Sequence, residues 1–233
     1  MLGELVRGLS RATPARCEVC RAWPAAPVCA ACLERFAPRR HRCPRCALAL
    51  PDGVAQCGRC LREPPPLDAC HAAVSYGYPW SGLVGRFKFG GEPGWADGFA
   101  ALLLRDPAAR ALVAGARWLL PMPLSRERLA HRGFNQAHEL ARQLAPGRAD
   151  PRLALRLVDT PAQASLDHAA RQANVRGAFT LEPGRAAELR GQAVLLVDDV
   201  MTTGASLYAL ARVVRAAGAA AVSAIVLART EDA

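Results

Sequence analysis

The apolar quartet Val194-Leu195-Leu196-Val197 follows Gly191-Gln192 and reads as a strand buried on both faces. Beyond it, Leu207, Leu210, Ala211, Val213 and Val214 recur at the spacing of one helix face, which Gly218 ends. The run from Ala221 to Leu227 predicts the next strand, so this stretch is a strand–loop–helix–strand unit. Upstream, Trp118-Leu119-Leu120 leads into Pro121-Met122-Pro123-Leu124 as a short strand entering a turn. Phe134, Ala137, Leu140, Ala141 and Leu144 then mark a helix that Pro146-Gly147 stops. Strands alternating with helices predict an α/β fold, a central parallel sheet flanked by helices.

The pattern changes before the stiff segment Glu63-Pro64-Pro65-Pro66, which predicts a boundary between a small module at 1–66 and a domain at 67–233. Apolar positions are sparse on the N-terminal side, mainly Trp23, Val28, Leu33, Phe36, Leu48 and Leu50. The first fifteen residues set Leu2, Leu5, Val6 and Leu9 among Glu4, Arg7 and Arg11, which suits a short amphipathic helix better than a signal peptide.

Cysteine takes the place of a core here. Eight of the nine cysteines form four Cys-x-x-Cys pairs: Cys17/Cys20, Cys29/Cys32, Cys43/Cys46 and Cys57/Cys60. Each knuckle can place two thiolates about 2.3 Å from a shared zinc ion, and four thiolates close the shell, which makes the predicted role structural. Disulfides are disfavoured without a secretory signal. A thioredoxin-like motif needs one such pair beside a βαβ unit. Iron–sulfur ligation stays open on ligand chemistry, although the spacings do not match ferredoxin runs. Eight residues separate the first two pairs and ten the last two, so two sequential sites need only short loops. An interleaved arrangement closes longer ones at modest entropic cost. A strong chelator is expected to unfold residues 17–60. Cys70 stands apart and reads as a small buried side chain.

The net charge is +10, and all basic residues but Lys88 are arginine. Residues 1–66 hold 11 arginines against 5 acids, so the smaller segment carries more than half of the excess. That fits nucleic-acid contact and equally a solvated arginine-rich surface. No apolar run is long enough for membrane insertion, and nothing in the sequence directs export, so a cytoplasmic location is expected.

The chemistry concentrates in Asp198-Asp199-Val200-Met201-Thr202-Thr203-Gly204-Ala205-Ser206. Small residues before a helix let backbone N–H groups curl around a phosphate, and the helix N-terminus adds favourable partial charge. Thr202, Thr203 and Ser206 add hydroxyl donors, while the adjacent carboxylates accept from paired ribose hydroxyls or from waters around Mg2+. Neither a Walker loop nor a Rossmann fingerprint is present.

This stretch resembles the phosphoribosyl-pyrophosphate motif of type I phosphoribosyltransferases. The resemblance implies that Asp198 and Asp199 contact the ribose hydroxyls and act in catalysis, and that Met201 to Ser206 hold the 5-phosphate. With the cysteine module, Phe87-Lys88-Phe89-Gly90-Gly91, Arg132-Gly133-Phe134-Asn135-Gln136, and the later Gln163, Leu166, Arg171, Asn174 and Gly177-Ala178-Phe179, the chain resembles the ComF family. In that family Met122, Pro123 and Leu124 correspond to the pyrophosphate loop. Such loops are sometimes held by a cis peptide, which Met122–Pro123 can adopt more cheaply than a non-proline bond. Lys88, Arg126, Arg128, Arg132 and Arg171 are candidates to neutralise pyrophosphate, with arginines on a mobile loop closing over it. The resemblance implies two structural zinc ions, a donor bound with Mg2+, and a role in DNA uptake in natural transformation. Single-stranded DNA and a helicase-like competence protein are the implied partners. The acceptor stays open, because the sequence ends after the last strand and a hood must come from residues 67–117, the zinc module or another molecule. A non-catalytic sensor of phosphoribosyl pyrophosphate, or a single-stranded DNA-binding factor, is the alternative. Trp23 and Phe36 are then stacking groups rather than core.

Overall fold

The computed structural model describes residues 15–157 and 177–231. The amphipathic segment at 1–14 and the positions Gln163, Leu166, Arg171 and Asn174 lie outside the described residues. The chain divides into two compact units, 1–38 and 39–233. The second cysteine cluster therefore folds with the larger unit.

In the smaller unit an isolated bridge pairs Ala15 with Ala25, and one helix follows, α1 (Ala30–Phe36). Of its described residues only Cys17 and Cys32 are buried. Trp23 is 62% exposed, so it is not core.

The larger unit is built on a four-stranded parallel sheet in the order β1 (Cys70–Ser75), β6 (Ala221–Arg229), β5 (Ala193–Met201), β2 (Trp118–Pro121). A small antiparallel pair, β3 (Ala154–Arg156) and β4 (Phe179–Leu181), lies apart from it. Among the described residues of this unit the α-helices are α2 (Gly58–Arg62), α3 (Trp80–Phe89), α4 (Trp95–Leu103), α5 (Pro107–Gly115), α6 (Arg126–Arg132), α7 (Gln136–Leu144) and α8 (Ala205–Ala216).

Strand alternation explains the layering. Val194, Leu196, Val222, Ala224 and Val226 share one core with α8 and with Cys43, Cys46, Cys57 and Cys60. The intervening Leu195, Val197, Ile225 and Leu227 are also buried, on the face over which α4, α5 and α7 pack. Both central strands are therefore apolar on both faces along Val194–Val197 and Ala224–Ala228, as parallel strands covered on two sides must be.

Two boundaries differ from expectation. β5 runs on through Asp198 and Asp199 to Met201, because β6 stays paired alongside as far as Arg229. The segment expected as a mobile arginine loop is instead α6, capped by Ser125, whose hydroxyl accepts from Arg128 N–H, and closed by Gly133 at φ +77°. No helix among the described residues is long and apolar enough to cross a membrane.

Candidate functional site

The eight paired cysteines form two clusters, Cys17/Cys20/Cys29/Cys32 and Cys43/Cys46/Cys57/Cys60, with the sulfurs of each within 4.8 Å of one another. The grouping is sequential rather than interleaved. Sulfur separations of 3.8 Å (Cys17–Cys32), 3.7 Å (Cys20–Cys29) and 3.6 Å (Cys46–Cys57) match the edge of a tetrahedron with arms of about 2.3 Å. All nine cysteines are free thiols. In the first cluster, burial opposes ionisation of Cys17, but backbone N–H groups of Cys20, Cys29 and Val19 outweigh it and bring the thiol down to about 6. Burial, with the neighbouring sulfurs, pushes Cys32 up to about 12. Four crowded thiols cannot all ionise unaided, and a dication supplies the missing charge. Both clusters have the donor set and spacing to hold zinc.

The second site is a cleft of about 150 Å³ in the larger unit, at the carboxyl ends of β2 and β5. β2 leaves the sheet here. Its last pairing is Pro121 with Val197, and Met122 N–H still donates to Val197 C=O at 2.9 Å. Past that point no described strand pairs with β5 on this side, and Asp198 and Asp199 line the opening. Met122, Pro123, Leu124, Lys88, Arg128, Arg132 and Ser206 complete much of the wall. The Met122–Pro123 bond is trans, not cis, in keeping with an extended exit from β2.

Inside the cleft, Lys88 Nζ lies 2.9 Å from Asp199 Oδ1, and Asp199 is almost wholly buried. Burial, and next the charge of Asp199, push the Asp198 carboxyl up to about 7, against the pull of Lys88, the Asp199 N–H and Arg132. Burial also disfavours the Arg132 cation, while Asp199 and Asp198 favour it. Arg132 is fixed by a 3.0 Å hydrogen bond to Gln136 Oε1 and by stacking over the Phe89 ring at 4.9 Å. Asn135 caps α7, accepting from His138 N–H, and its amide donates to Met122 C=O at 3.0 Å, so it shapes the 122–124 turn.

A proton on Asp198 that the unfolded chain would already have lost makes stability fall as pH rises from 3.8 towards 7, with no further loss above. Asp198→Asn removes that cost. Its stability advantage over the native chain is expected to grow by about 1–2 kcal/mol between pH 5.5 and pH 8. A pH-independent difference in urea denaturation would show that Asp198 ionises there without penalty.

Not every expected residue reaches the cleft. Arg126 is exposed and does not line it. Thr203 is buried, and its hydroxyl accepts from Ala205 N–H at 3.3 Å, capping the loop rather than facing a ligand. Met201 is buried, Thr202 is exposed, and Gly204 holds φ +82° where α8 begins. Among residues 202–206 only Ser206 lines the opening directly. Arg156, on β3, also lines it and was not foreseen, since one arginine in a three-residue strand carries no motif.

Residues 129–232 match the family model described as the phosphoribosyl transferase domain. The chain is 30% identical over 209 residues to the DNA utilization protein YhgH of Escherichia coli K12, covering 87% of this chain and 90% of that protein. It is 33% identical over 183 residues to competence protein F of Haemophilus influenzae, covering 76% and 79%. It is 29% identical over 202 residues to competence protein ComFC of Bacillus subtilis, covering 82% and 78%. A parallel sheet with its acids at the strand ends, two four-cysteine clusters and relatives along most of the chain agree: the chain belongs to the ComF family, with a phosphoribosyltransferase-type domain and a cysteine-rich N-terminal region.

Proposed function

We propose that the cleft binds 5-phosphoribosyl 1-pyrophosphate and that the chain acts as a phosphoribosyltransferase in DNA uptake, in the cytoplasm. One observation carries the reading: Asp198 and Asp199 share a single opening with Lys88, Arg128, Arg132 and Ser206. Carboxylates that accept from a ribose diol therefore sit beside cations that suit a diphosphate, at the start of a helix that suits the 5-phosphate. Mg2+ bound with the donor would supply charge neutralisation on the diphosphate, and the carboxylates and open mouth of the cleft can accommodate its waters. Asp198 and Asp199 hold the ribose hydroxyls. The bond from the anomeric carbon to the diphosphate oxygen breaks with its electron pair leaving on pyrophosphate, while Lys88 and Arg132 receive that charge. The acceptor supplies the electron pair that forms the new bond. Arg171, outside the described residues, stays a candidate for the same anion, and Arg126 is the weakest of the set.

Calorimetry with the donor and Mg2+ tests the site. Asp198→Asn/Asp199→Asn is expected to weaken binding by about 100-fold, since two charge-assisted contacts are worth about 1.5 kcal/mol or more each. Equal affinity in the double variant overturns the assignment. Release of pyrophosphate on adding bases or single-stranded DNA tests turnover, and binding without release under every acceptor favours the sensor.

A second reading rests on Trp23, which is exposed in a segment whose Arg16, Arg21 and Arg35 are exposed too. An exposed indole in an arginine-bearing segment suits a stacked base and its backbone, so residues 15–36 are a candidate single-stranded DNA contact. The relatives named for DNA utilization and competence point the same way, and a helicase-like competence protein is the partner this reading favours. Trp23→Ala is expected to weaken oligonucleotide binding by about tenfold at low salt. Unchanged binding removes the stacking role.

A further inference from the structure

The second cysteine cluster is bonded to the loop that follows β5. Arg229, the last residue of β6, is buried, and its Nε–H donates to Cys46 C=O at 3.1 Å. Its Nη1 donates to Met201 C=O at 3.3 Å and to Thr202 C=O. Arg59, between Cys57 and Cys60, donates from Nη2 to Thr203 C=O at 3.3 Å. Three successive carbonyls, Met201, Thr202 and Thr203, thus accept from two guanidinium groups that belong to or reach the cluster, and Met201 C=O also accepts from Thr230 N–H at 3.1 Å. Met201 is held there as well, its sulfur 3.8 Å from Cys70 Sγ.

A trans peptide is planar, with C=O and N–H pointing opposite ways. Pulling the oxygens of 201, 202 and 203 to one side therefore turns the N–H groups of Thr202, Thr203 and Gly204 to the other. Consecutive N–H groups turned together make an anion-binding concavity. Met201 Cε and the Tyr208 ring fill the space where a side chain at Gly204 would stand.

We propose that the second cysteine cluster, when metal-loaded, is the clamp that sets the phosphate loop, with Arg229 and Arg59 as positioning residues, so that metal occupancy there governs phosphate affinity. This rests on the reading of 202–206 as the phosphate cradle. Without the metal, Cys46 and Cys57 are no longer fixed relative to one another, and the two guanidinium groups lose their common anchor.

The test uses the zinc-loaded full chain and Arg59→Ala, a change at a half-buried position that leaves the Arg229 contacts in place. Hydrogen exchange is measured by mass spectrometry, with residues 136–144 as internal reference. Exchange at 201–206 is expected to quicken about tenfold in Arg59→Ala while the reference stays unchanged, and Arg59→Lys is expected to restore most of the protection. By reciprocity, saturating 5-phosphoribosyl 1-pyrophosphate with Mg2+ should raise apparent zinc affinity about fivefold in chelator competition, an effect lost in Arg59→Ala. Unchanged exchange at 201–206 overturns the clamp, as does unchanged zinc affinity when calorimetry shows the ligand bound. Quickened exchange in a protein whose native form binds no phosphoribosyl pyrophosphate supports the clamp and overturns only the ligand reading.

Discussion

Stripping zinc from the whole chain is expected to unfold residues 17–36 outright, while residues 43–60, which the sequence alone would unfold with them, loosen but stay docked. The first cluster has no apolar reserve: Cys17 and Cys32 are the only buried residues described in the smaller unit. Metal ligation, on the order of 10 kcal/mol per structural site, is then nearly all that opposes chain entropy. The second cluster has other supports. Its cysteines join the core of the larger unit, Cys70 N–H donates to Pro44 C=O at 2.8 Å, and Glu231 accepts from Arg42 Nη1 and Ala49 N–H, both at 3.0 Å. Limited proteolysis after verified chelation should therefore cut first within 17–36. Continued resistance of that segment in metal-free protein would contradict the account.

The second large effect is expected at Gly204. A Cβ there would stand 2.5 Å from Met201 Cε and 2.6 Å from Tyr208 Cζ, on a backbone at φ +82°. Both neighbours are buried, so the Met201 thioether and the Tyr208 ring would have to shift within packed surroundings. Gly204→Ala combines left-handed strain of about 1 kcal/mol with overpacking of about 1–3 kcal/mol. Stability should drop by about 2–4 kcal/mol, and donor binding should fall below detection, because the loop must shift to admit the methyl group. Native-like stability in guanidinium titration together with full donor affinity would mean that the loop is softer than its packing implies.

The unit from β5 to β6 was legible because its signals are local. Four apolar residues, a small-residue loop and a helical period each name an element on their own. The cysteine clusters were legible for the same reason, as ligand spacing is written along the chain. What escaped depends on neighbours. Asp198 and Asp199 read as the end of a strand because carboxylates rarely continue one, yet β6 carries β5 on to Met201 after β2 has departed. α6 is hidden in the sequence because its arginines mask the Ser125 cap and the Gly133 stop that define it. Composition marks a change at Pro66, whereas the second cluster packs with the sheet inside the unit 39–233 through tertiary bonds such as Arg229 to Cys46, which leave no trace in local sequence. Arg229 itself gave no warning. An arginine ending an apolar strand ordinarily marks the return to solvent.

The ion pair of Lys88 with Asp199 carries one more implication for what the cleft can tell apart. On the proposed donor reading, an arriving sugar must part the ammonium from its carboxylate, and the ammonium then needs somewhere to go. Intact donor offers both halves of the exchange, hydroxyls for the acid and a diphosphate for the amine. Ribose 5-phosphate offers only the first, and free pyrophosphate only the second, so each fragment leaves one member of the largely buried pair without a charged partner. The cleft should favour the undivided molecule by more than its pieces sum to, which lets spent products fall away.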